Sequence, residues 1–98
     1  MQFRVTISER AEKNLRDIVS YLEQEWSSRV SKKYLNILEQ KVNLIAEYPS
    51  LYEASQKKKS IFRCVITKQS IMYYRVRKEE IEIITIQDSR RDLRQLKI

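Results

Sequence analysis

The spacing of apolar residues changes period twice along this chain, and the changes mark its elements. Phe3, Val5 and Ile7 alternate with Arg4 and Thr6, the period of a half-buried strand. Ser8 follows as a helix cap, with Glu12 one position too far along for a capping box. From Ala11 onward Leu15, Ile18, Val19, Leu22 and Trp26 recur at steps of three and four, while Lys13, Arg16, Asp17, Glu23 and Glu25 fall largely elsewhere. This predicts an amphipathic helix of about 17 residues with Trp26 as a core anchor. Ser27-Ser28 interrupts the pattern. It resumes with Val30, Tyr34, Ile37, Leu38, Lys41 and Ile45, widened by Val42 and Leu44, until Pro49 pushes Tyr48 out of helical geometry. Two helices joined by so short a break form an antiparallel hairpin.

Residues 50–60 have little periodicity and include Lys57-Lys58-Lys59, which reads either as a solvated loop or as a basic lip for phosphate. Three runs rich in β-branched and aromatic residues follow: Ile61 to Thr67, Ser70 to Val76 and Ile81 to Ile86. Polar connections of two to four residues separate them, the signal of an antiparallel meander. The fold class expected is α+β: an N-terminal strand, a helical hairpin and a three-stranded meander, giving four strands in total. The first strand is expected beside a late strand of the meander, with the hairpin on one face of the sheet and the other face partly open. Asp88 to Leu96 would add a short C-terminal helix or tail pinned by Leu93 and Leu96. A chain of 98 residues fits one domain, taken as 1–98.

Composition narrows the chemistry. Residues 1–49 carry eight basic and seven acidic groups, and residues 50–98 carry twelve and six, so most of the net +7 lies in the half that holds the meander. Such a field favours nucleic acid, an acidic protein or a membrane surface. There is no histidine, which removes the commonest general base and the usual zinc sets, and no metal or cofactor is expected. The absence of glycine excludes glycine-rich phosphate loops. Cys64, the lone cysteine, reads as a small buried hydrophobe. The first residues lack the apolar run of a signal peptide, and no window approaches the ~20 apolar residues of a membrane span, so a cytoplasmic location off the membrane is expected.

The order of elements, the first helix running into Trp26, the Tyr48-Pro49 stop, Arg63, the strand Ile71-Met72-Tyr73-Tyr74-Arg75-Val76 and the ending Gln87-Asp88-Ser89-Arg90-Arg91 together resemble the RelE/ParE toxins of type II toxin-antitoxin modules. The likeness covers nearly the whole chain. It implies a toxin neutralised by a cognate antitoxin, as a homodimer or within a toxin-antitoxin hetero-oligomer. RelE-like members are ribosome-dependent ribonucleases that cleave mRNA using cations on the sheet and a C-terminal tyrosine or histidine. In that reading Arg63, Arg75 and Arg90 would form the electrostatic core, stabilising charge on the scissile phosphate. Val65, Ile71 and Leu96 depart from the pattern, standing where a lysine, an arginine and the tyrosine are often found. ParE-like members share the scaffold, generally lack that set and are described as poisons of DNA gyrase. The departures favour this branch, with Arg63, Tyr74, Arg90, Arg91 and Arg94 as contacts for target or antitoxin. A non-toxic basic binding module on the same fold is a third reading.

Two assignments stay open at this level. Arg63 can pair with Glu82 or Asp88 across the sheet instead of meeting a partner. Tyr73 and Tyr74 point to opposite faces, one to the core and one to the open face, and alternation alone does not say which.

Overall fold

The computed structural model describes residues 3–49 and 61–89. Strand β1 spans Arg4–Ile7, helix α1 Glu9–Glu25, helix α2 Ser28–Glu47, and strands β2, β3 and β4 span Ile61–Thr67, Ser70–Arg77 and Glu80–Asp88. This is the expected α+β order. The four strands form one sheet in the order β1-β4-β3-β2: β2, β3 and β4 make the antiparallel meander, and β1 lies parallel to β4. The expected C-terminal helix or tail falls mostly outside the described residues.

Serine hydroxyls start both helices. Ser8 Oγ accepts from the Ala11 amide at 3.0 Å and Ser27 Oγ from the Val30 amide at 3.2 Å, each satisfying a donor that the first helical turn leaves without a partner. Helix α1 therefore begins at Glu9, two residues before its apolar periodicity is evident. Ala11 is completely buried, and its small side chain lets the first turns of α1 lie against the sheet.

The core lies between the hairpin and one face of the sheet. Ala11, Ile18 and Leu22 of α1 and Tyr34, Leu38 and Ile45 of α2 meet Cys64, Ile66, Met72, Tyr74, Ile81, Ile83 and Ile86. Cys64 has the buried setting its sequence context implies. A bulge shifts the phase of β4: Tyr73 stands opposite Thr85 while Tyr74 stands opposite Ile83, so Ile84 is the extra residue. The inward set accordingly runs Ile81, Ile83, then Ile86 and Asp88, all buried. Strict alternation would instead have pointed Thr85 and Gln87 at the helices.

Parallel pairing with β1 ends at Ile83, leaving the rest of that edge of β4 to be closed by side chains and the chain leading into α1. The Ser8 amide donates to Ile83 O at 2.9 Å and Ser8 Oγ to Ile84 O at 2.6 Å. The Ile86 amide and Thr85 Oγ1 both donate to Asn14 Oδ1, at 3.1 and 2.8 Å. Backbone groups that would sit beside a helix without a partner are thereby satisfied.

Trp26 departs from expectation: it is 65% exposed. Helix α1 stops at Glu25, and Trp26 takes φ −126° and ψ −92° at the turn, so the helical period that would have carried its side chain to the core no longer applies.

Candidate functional site on the open sheet face

Because side chains alternate along a strand, the residues between the buried ones form the face turned away from the helices. Strand register arranges them in rows. At one end, beside the β2–β3 turn, Val65 lies opposite Ile71, itself opposite Gln87. In the next row Arg63 lies opposite Tyr73. Then Ile61, Arg75, Glu82 and Thr6 follow one another across all four strands, and at the far end Arg77, Glu80 and Arg4 make the last row.

These rows settle the tyrosines. Tyr74 is completely buried, stacked on Phe62 with ring centroids 5.4 Å apart, and its hydroxyl donates to Pro49 O at 2.8 Å. It belongs to the core and cannot serve as the face contact for which it was named. Tyr73, half-buried, is the tyrosine on the open face. A signal for this stands in the sequence: Arg75 and Arg77 share the parity of Tyr73, whereas Met72 and Val76 share that of Tyr74.

The arginines separate as clearly. Arg75 Nη2 lies 3.5 Å from Glu82 Oε1, while its Nε is buried without a hydrogen-bond partner. The pair is partly exposed and contributes little to stability. Arg63 does not take the structural role open to it: Glu82 is engaged by Arg75, and Asp88 is buried on the opposite face. Arg63 is exposed and makes no ion pair among the described residues. Ser89 closes the described part of the sheet, its amide donating to Gln69 O at 2.7 Å beside the β2–β3 turn. Arg90, Arg91 and Arg94, together with Lys57 to Lys59 and Leu96, lie outside the described residues.

The face can offer a cation at Arg63 next to an aromatic ring and an aliphatic pair, Val65 being 49% exposed. That combination suits docking against a macromolecule, where an arginine and an aromatic anchor a contact and apolar neighbours exclude water. Among the described residues no group of three histidine, cysteine, aspartate or glutamate side chains gathers to hold a metal, and no helix is long and apolar enough to cross a membrane.

Comparison with known proteins points the same way as the element order. Residues 5–93 match the family model described as the ParE toxin of the type II toxin-antitoxin system, parDE. Toxin ParE1 of Caulobacter vibrioides is 29% identical over 80 residues, 82% of each chain. Among solved structures, the chromosomal ParDE toxin-antitoxin system from P. aeruginosa contains a chain that superposes with a TM-score of 0.74 at 12% identity, over 89% of this chain and 96% of that one. An arginine-substituted form of E. coli toxin RelE in the free state gives 0.63 at 16% identity, over 95% and 90%. At such identities the structural likenesses establish the fold, and the match across 5–93 establishes the family: the chain belongs to the ParE toxins of type II toxin-antitoxin systems.

Proposed function

We propose that this toxin arrests growth by binding DNA gyrase, and that a cognate antitoxin holds it inactive in the cytoplasm. The observation that carries the reading is the Val65–Ile71 pair. Cleaving a phosphodiester requires charge beside the scissile phosphate and a group that moves a proton. At the end of the face next to the β2–β3 turn, two aliphatic side chains in register can do neither, but they can bury apolar surface against a protein. Membership of the ParE family supports the same branch.

The antitoxin follows from the family and from the P. aeruginosa relative, whose structure is of a toxin-antitoxin system. Its chemistry would complement the basic half of the chain: an acidic or amphipathic segment that orders as it binds. Arg63 and Tyr73 are the described residues best placed to meet target or antitoxin, and Arg90, Arg91 and Arg94 are proposed to join them.

The test is a supercoiling assay with purified gyrase and the toxin titrated over a wide range. Loss of supercoiling with accumulation of enzyme-linked cut plasmid is expected. Unchanged gyrase at large excess of a toxin that arrests cells would overturn the reading, and would favour mRNA cleavage on the ribosome with Arg63, Arg75 and Arg90 as its electrostatic core.

A further inference from the structure

We draw no further inference here: the strongest candidate, the outer edge of β2 at the end of the sheet, where Arg63 and Val65 are exposed, adjoins the contact surface already described, and nothing in the structure shows what covers it.

Discussion

Tyr34 Oη and Ser70 Oγ meet at 2.6 Å in the core, tying the middle of α2 to the first residue of β3. Ser70 is completely buried and stands opposite Asp88, so a small polar group is enclosed where helix, turn and last strand converge. Tyr34→Phe keeps the ring and removes the hydroxyl, leaving Ser70 without the bond that compensates its burial. The expected loss is about 1–3 kcal/mol in urea unfolding, the cost of stranding a buried polar group. Replacing both partners, Tyr34→Phe with Ser70→Ala, should cost less than the two single changes summed. Simple additivity would mean that the two groups are not coupled.

Asn14 offers a test of how the sheet edge is closed. Its Oδ1 accepts from both the Ile86 amide and Thr85 Oγ1. Asn14→Leu fills similar space but accepts nothing, and is expected to destabilise by about 1–3 kcal/mol. The local signature is faster hydrogen exchange at the Ile86 amide, with the Met72 amide, in the interior of the sheet, still protected. Unchanged exchange at Ile86 would show that water or another group replaces Asn14 at no cost.

Most of the fold was legible because its elements are periodic in the sequence: Ile18, Leu22, Leu38 and Ile45 mark the inner helix faces, and Cys64, Ile66, Met72 and Ile81 the inner sheet face. Trp26 and the β4 bulge were not, for related reasons. Periodicity extrapolates an element past its end, and Trp26 stands one residue beyond α1. At β4 the adjacent Ile83 and Ile84 break the alternation, which is the trace a bulge leaves in sequence, but a break does not reveal which residue is extra. The pairing with β3 does. At the candidate site the sequence named Arg63 and Tyr74, and left open which of Tyr73 and Tyr74 faces outward; the structure puts Tyr74 in the core. The choice of Tyr73 depends on the phase of β3, and the separate fates of Arg63 and Arg75 depend on which strand brings Glu82 alongside.

The exposure of Trp26 is open to a direct spectroscopic test. It is the single tryptophan of the chain, so its fluorescence is unambiguous. At 65% exposure, its emission should be quenched efficiently by iodide in the folded protein and change little on unfolding. Trp26→Ala should alter stability by less than about 0.5 kcal/mol, as surface changes usually do. Leu22→Ala, one turn earlier and completely buried, should cost about 2–5 kcal/mol. A comparable loss at Trp26 would mean that the indole packs against the hairpin after all.

The open face is tested by separating stability from toxicity. Arg63 and Tyr73 occupy one row, and neither belongs to the buried cluster, so Arg63→Ala should leave the unfolding midpoint nearly unchanged and Tyr73→Ala should lower it only slightly. Tyr74→Ala removes a buried ring stacked on Phe62 and should cost about 3–5 kcal/mol, a large part of the stability of a domain this size. Growth arrest on induction should therefore fall in all three variants for two different reasons. Arg63→Ala and Tyr73→Ala would accumulate as folded, harmless protein, whereas Tyr74→Ala would be depleted by degradation. The readout is the yield and thermal midpoint of each variant beside its toxicity at matched expression. Full toxicity in both folded variants would take the active surface off the Arg63–Tyr73 row, while leaving the core assignment of Tyr74 intact.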